Sequence, residues 1–210
     1  MKAVIFDIDG TLIKTREDFW YIVFEEIIGK IGCENYSREE VKRFERGDRN
    51  TPRKKILEKI FGSESKTDEF HRLLGIYLSD FDKVKHFKSL YPDVKLVLDE
   101  LEKREVIMGV VTDAPPFIAI PQRDYLLGNG YFSEFVMTHK THLRDKPAPD
   151  GLLYCMKQLG AEEAIFVGDS DSNIIAAQSA GIESVWIDRK EHDIYTQPNR
   201  IIETLYELLW

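Results

Sequence analysis

Cysteine is nearly absent: the 210 residues hold only Cys33 and Cys155. The two are far apart and form no Cys-x-x-Cys pair, so neither a disulfide framework nor a thiolate zinc site is expected. Long apolar runs are missing too. Val106–Val111 is among the longest and is soon broken by Asp113, well short of the roughly 18–20 residues that span a bilayer. The opening MKAVIFDIDG is cut by Asp7, so no secretory leader is read there, and the cytoplasm is the expected compartment. Positive charge is in deficit. Against 37 Asp+Glu there are 29 Lys+Arg, a formal net charge of −8. No global positive field would attract a polyanion, so nucleic acid is not an expected partner, and neither is a membrane. No internal repeat or low-complexity segment is present. What remains, 43% hydrophobic and 31% charged, is the composition of an ordinary globular chain long enough to bury a core.

The pattern along the chain changes twice. Lys2–Ile8 is a compact apolar run, read as a buried strand that ends in Asp-Ile-Asp-Gly-Thr. Residues 14–88 then read as helices. Phe19, Tyr21, Ile22, Phe24, Ile27, Ile28 and Ile31 recur at helical spacing, and Ser37-Arg-Glu-Glu40 is a capping box that opens a second helix. Pro52 fits the first turn of a third, running to about Phe61, and a fourth covers Asp68 to about Phe87. From Pro92 onward helices and strands alternate. Strands are read at Val106–Thr112, Phe135–Thr138, Ala164–Val167 and Ser184–Ile187, with a last helix over Ile201–Leu209. Such alternation implies an α/β fold, a Rossmann-like parallel sheet with helices on both faces. Residues 1–13 and 89–210 would make the core, interrupted by an α-helical insertion at 14–88.

Charge divides along the same line. Residues 14–85 carry 16 basic and 15 acidic side chains, so the remainder carries nearly all of the negative excess. Within the insertion, residues 38–55 hold eight basic side chains against four acidic ones. A solvated helix face is the ordinary account of such a run. The functional account has one or two of them holding an anionic substrate, with Arg46 and Arg49 as the candidates.

In parallel α/β sheets, ligands bind beyond the carboxyl ends of the strands. Here those ends deliver Asp7 and Asp9, then Thr112 and Asp113, then Gly168-Asp169-Ser170-Asp171, with Arg144 and Lys146 in a loop between. Carboxylates converging on one edge repel each other unless a cation sits among them. Oxygen donors favour a hard ion, Mg²⁺ above all. A lysine nearby would complement a second anion such as phosphate. A carboxylate in that setting can attack phosphorus, and a neighbouring one can protonate the leaving oxygen.

Asp7-Ile-Asp9-Gly-Thr11, Val110-Val-Thr112, Lys146-Pro-Ala-Pro-Asp150 and Gly168-Asp169-Ser170 resemble, in order and spacing, the four motifs of the haloacid dehalogenase-like hydrolases. The resemblance covers nearly the whole chain, including the helical insertion and the Leu90-Tyr-Pro-Asp-Val94 return. It implies that Asp7 is the nucleophile and a metal ligand. Asp9 would be the general acid/base and give its backbone carbonyl to the metal. Thr112 and Lys146 would bind the transferring phosphoryl group, with the backbone after Thr112, at Asp113, helping. Asp169 would complete the protein's share of the Mg²⁺ shell. The acid at Asp9 is what separates phosphate-ester relatives from those that cleave carbon–halogen bonds. The resemblance therefore implies a phosphatase acting on a small phosphorylated metabolite beneath a helical cap, with phosphoglycolate phosphatase the nearest named likeness. A sugar-phosphate phosphomutase and a non-catalytic binding relative are the alternatives.

Two positions depart from the family pattern. Asn173 stands where a second acid is usual, which predicts weaker metal binding, and Asp113 stands where asparagine is common. Asp171 is the nearest substitute acid, two positions earlier. Other residues read as structural: His139 and His142 as surface histidines, Cys155 as a small core residue, and Phe19, Trp20, Tyr21 and Phe24 as helix core. Lys140 and Arg144 are alternatives to Lys146, which alone precedes the Pro-Ala-Pro-Asp run.

Overall fold

β-Branched and aromatic residues over Lys2–Phe6 form the first strand, β1, in a computed structural model that describes residues 2–32, 36–46, 53–128, 130–189 and 194–209. The chain divides into two units, one made of Met1–Lys14 with Lys88–Trp210, the other of Thr15–Phe87. After β1 a tight turn leads into β2 (Ile13–Thr15).

The second unit is helical. Its first helix, α1 (Phe19–Ile31), stops where Gly32 takes a φ of 68° and returns its N–H to the Ile28 carbonyl. The expected capping box opens α2 (Arg38–Arg46): Ser37 Oγ accepts the Glu40 N–H at 3.2 Å, and the Glu40 carboxylate accepts the Ser37 N–H at 2.9 Å. α3 spans Arg53–Phe61; Pro52, expected in its first turn, lies outside the described residues. α4 (Glu64–Ser79) starts earlier than expected because Ser63 caps it, accepting the Lys66 N–H. It also stops short of Phe87. The chain breaks at Asp80 and continues as α5 (Phe81–Val84) and a 3₁₀ turn over Lys85–Phe87. Aromatic rings fill the centre of this unit, Phe24 lying 4.7 Å from Phe70 and 5.1 Å from Phe44. Trp20 packs edge-on to Phe19 and Phe44, partly buried against that core.

β3 (Lys88–Leu90) pairs with β2 in a two-stranded sheet, and regular alternation follows. The elements are α6 (Val94–Lys103), β4 (Ile107–Thr112), α7 (Pro116–Gln122), β5 (Glu134–Met137), α8 (Thr138–Thr141), α9 (Asp150–Leu159), β6 (Glu163–Gly168), α10 (Asp171–Ser179) and β7 (Glu183–Ile187). α7 runs into a single π-helical turn over Arg123–Leu127. The helix expected over Ile201–Leu209 is not there. Arg200–Ile202 instead forms β8, parallel to β7, with Ile202 buried, and Thr204 with Glu207 caps only a short 3₁₀ turn over Leu205–Leu208. Three residues pair with a strand edge at once, whereas a helix that short gains few hydrogen bonds for the backbone it fixes.

The six strands are all parallel, in the order β5-β4-β1-β6-β7-β8. Alternation along β1 sends Val4 and Phe6 to one face, packed with Val97, Leu98 and Leu205, and Ala3 and Ile5 to the other, packed with Leu152, Cys155 and Ala176. Beyond β7, Arg189 grips Asp93 with two hydrogen bonds of 2.8 and 3.0 Å, donates to the Thr11 carbonyl at 2.9 Å and lies over the Tyr91 ring. Both charges are nearly buried. Among the described residues, no helix is long and apolar enough to cross a membrane.

Candidate active site

The strand order reverses between β1 and β6, which makes a crevice at their carboxyl ends. Asp7 follows β1 directly, its N–H extending the ladder to the Val167 carbonyl at 2.9 Å. Asp169 follows β6. Between them the chain turns sharply, the N–H groups of Thr11, Leu12 and Ile13 all pointing at the Ile8 carbonyl. Gly10 has a φ of 78°, and a Cβ there would stand 2.0 Å from Asp169 Oδ2. Only glycine satisfies both the turn and this close approach.

Each oxygen of Asp7 is held. Oδ1 accepts the Ile8 N–H at 2.8 Å and lies 2.8 Å from Lys146 Nζ; Oδ2 accepts the Asn173 side-chain amide at 2.8 Å. The Lys146 side chain is only 5% exposed. Burial works to lower its pKa, but Asp7 and Asp113 outweigh that and hold it above the usual value, so the ammonium stays charged. Asp169 behaves in the opposite sense. Burial, reinforced by the charge of Asp7, pushes its carboxyl up to about 8.

Asp9 is 40% exposed, and its Oδ1 lies 2.9 Å from Lys88 Nζ and 3.3 Å from Gln122 Nε2. Thr112 is buried at the end of β4, its Oγ1 accepting the Ala114 N–H at 3.1 Å. The Asp113 carboxylate turns to the following loop, accepting the Lys146 N–H and the Thr138 hydroxyl, each at 3.2 Å. Its pKa is raised by burial and by Asp7 and Asp145, against the pull of Lys146.

The two departures from the family pattern have structural answers. Asn173 sits at the third position of α10 and bonds Asp7 directly, while its Oδ1 accepts the Ser170 N–H. Asp171 accepts the N–H groups of Tyr195 and Thr196, so it anchors that segment. Arg144 is committed to Asp150 through two hydrogen bonds, and Lys140 is exposed. His139 is half exposed, 3.6 Å from Asp145, and lies in the helical turn α8 that Thr138 opens. Cys155 is fully buried, its thiol pushed up to about 12 by burial. Arg46 closes α2, but its side chain, like the whole of Arg49, lies outside the described residues. Sequence reasoning missed Lys88, Gln122 and Arg189, none of which belongs to a motif, and gave Asp93, within the Leu90–Val94 return, no role.

The donor set suits a hard cation. Asp7 and Asp169 offer carboxylate oxygens, to which the family resemblance would add the Asp9 backbone carbonyl. Asp169 is buried close enough to Asp7 for their charges to conflict, a conflict that Lys146 relieves only in part. With two carboxylates and a main-chain donor, the described residues contain no cluster of three His, Cys, Asp or Glu ligand side chains.

Comparison with known proteins agrees with this layout. Phosphoglycolate phosphatase of Pseudomonas savastanoi is 28% identical over 187 residues, 88% of this chain and 68% of that protein. A crystal structure of a predicted phosphoglycolate phosphatase from Haemophilus somnus has a TM-score of 0.82 at 23% identity, covering 100% of this chain and 96% of the other. An HAD phosphatase from Thermococcus onnurineus is 29% identical with a TM-score of 0.70, covering 99% and 96%. The family model of the haloacid dehalogenase-like hydrolases matches residues 4–187, and the chain belongs to that family.

Proposed function

We propose that the chain is a Mg²⁺-assisted phosphatase for a small phosphorylated metabolite, working through an acyl phosphate on Asp7. The observation that carries this reading is the Asp7 carboxylate, fixed at both oxygens with the Lys146 ammonium 2.8 Å away. Asp7 attacks phosphorus, the ester oxygen leaves, and Asp9 gives that oxygen its proton. Asp9 then takes a proton from the water that attacks the phosphorus of the acyl phosphate, releasing orthophosphate and restoring Asp7. Lys146 and the N–H groups beyond the two strand ends offset charge on the phosphoryl oxygens as it grows. Mg²⁺ would be held by Asp7, Asp169 and the Asp9 carbonyl, where it would neutralise the charge of the carboxylates and of the phosphate.

The names of the relatives support a phosphate monoester, and phosphoglycolate is the first compound to try. Arg46 and Arg49 are proposed to recognise the rest of the substrate. Asp7→Asn should abolish Mg²⁺-dependent hydrolysis of an aryl phosphate, with circular dichroism unchanged. Retained turnover would falsify the nucleophile assignment. Product analysis separates the alternatives: orthophosphate marks a phosphatase, an isomerised sugar phosphate a mutase. No turnover on a broad panel marks a binding protein.

A further inference from the structure

We infer that Lys88 and Gln122 are positioning residues that aim the Asp9 carboxylate, an inference that rests on Asp9 being the general acid/base of the proposed reaction. Both side chains reach the same atom. Lys88 Nζ is 2.9 Å and Gln122 Nε2 is 3.3 Å from Asp9 Oδ1. A carboxylate held through one oxygen by two donors loses its freedom to rotate, which leaves Oδ2 as the oxygen that exchanges a proton with the leaving group. A positioned acid is effective only within hydrogen-bond reach of the oxygen it serves.

The supports are built for the purpose. Lys88 opens β3 and is only 11% exposed, so its ammonium is held close to Asp9. Gln122 is 1% exposed, and its Oε1 is buried with no hydrogen-bond partner among the described residues. Burying an amide half unsatisfied is unfavourable, and a leucine would fill the space without that cost. Gln122 also stands where α7, interrupted by Pro121, gives way to the π turn over Arg123–Leu127. Single π turns of this kind are frequent at functional sites.

The two residues therefore act on the leaving-group step, and the leaving group supplies the test. Para-nitrophenolate departs without a proton, whereas an alkoxide needs one. Turnover of Lys88→Met, Lys88→Arg, Gln122→Met, Asp9→Asn and Asp7→Asn would be compared on para-nitrophenyl phosphate and on an alkyl phosphate such as glycerol phosphate. In Lys88→Met and in Gln122→Met, the single-turnover rate of alcohol release, which precedes the attack of water that both esters share, should fall by about tenfold or more for the alkyl ester, within the range general acids contribute, with the aryl ester changed by less than about threefold. KM should be steady, and Lys88→Arg should recover most of the loss. Equal loss on both esters, a change confined to KM, or no loss at all overturns the inference. If Lys88→Met fails to fold, Gln122→Met decides alone, since methionine matches glutamine in length without its amide. If Asp7→Asn stays active, or Asp9→Asn lacks this leaving-group dependence, the underlying reading has failed instead.

Discussion

Asp169 offers a direct measure of the charge conflict that the site holds without metal. Its carboxyl, ordinarily near 3.8, is pushed up to about 8 by burial first and by Asp7 second. Below pH 3.8 Asp169 is protonated in folded and unfolded chains alike, so folding bears no cost from it. As pH rises the unfolded chain ionises while the folded one resists, and each pH unit up to about 8 removes about 1.4 kcal/mol of stability. Near pH 7 the loss is on the order of 4 kcal/mol, a large share of a typical domain's stability. Asp169→Asn removes the ionisation while keeping the shape. In chelator, urea denaturation should find the variant and the parent equally stable near pH 4, with the variant ahead by roughly 2–4 kcal/mol near pH 7. Added Mg²⁺ should stabilise the parent, as a ligand of the folded state does, and leave the variant largely unmoved. Phosphatase activity should vanish in the variant. A difference between the two proteins that stays flat from pH 4 to 8, or a variant less stable near pH 7, would refute the reasoning.

Other consequences can be checked with single substitutions. Arg189→Ala leaves Asp93 buried with the Leu205 N–H but without its cation, which should cost about 3–5 kcal/mol in urea denaturation. Arg46→Ala and Arg49→Ala should raise KM for the best substrate on a metabolite panel by roughly tenfold, the effect of losing one charged hydrogen bond, while kcat holds. Unchanged KM in both removes them from the substrate site.

That Asp7, Asp169 and Thr112 lie at the carboxyl ends of neighbouring strands was legible in the sequence for a physical reason. Asp7, Asp169 and Thr112 each end a strongly apolar strand, and a parallel sheet brings such ends to one edge whatever the loops between them do. Lys88 and Gln122 carried no such signal. They meet Asp9 across separations of 79 and 113 residues, through contacts that depend on how β3 and α7 pack. Asn173 was noticed as a departure, but its bond to Asp7 follows from its place on the first turn of α10. The terminal segment misled because Ile201, Ile202 and Leu205 suit a helix face as well as a strand, and pairing with β7 decided between them. The extent of α4 turned on local capping by Ser63, a weaker cue than the apolar pattern that follows it.

The central claim is that Asp7 carries the phosphoryl group. The most direct measurement is rapid acid quenching during turnover of an aryl phosphate with Mg²⁺, followed by mass spectrometry of the peptide that contains Asp7. The account predicts a transient phosphoryl adduct on Asp7, formed at a rate no slower than kcat and absent from Asp7→Asn. Burst formation of product with no adduct on that peptide, or an adduct on another residue, would contradict it.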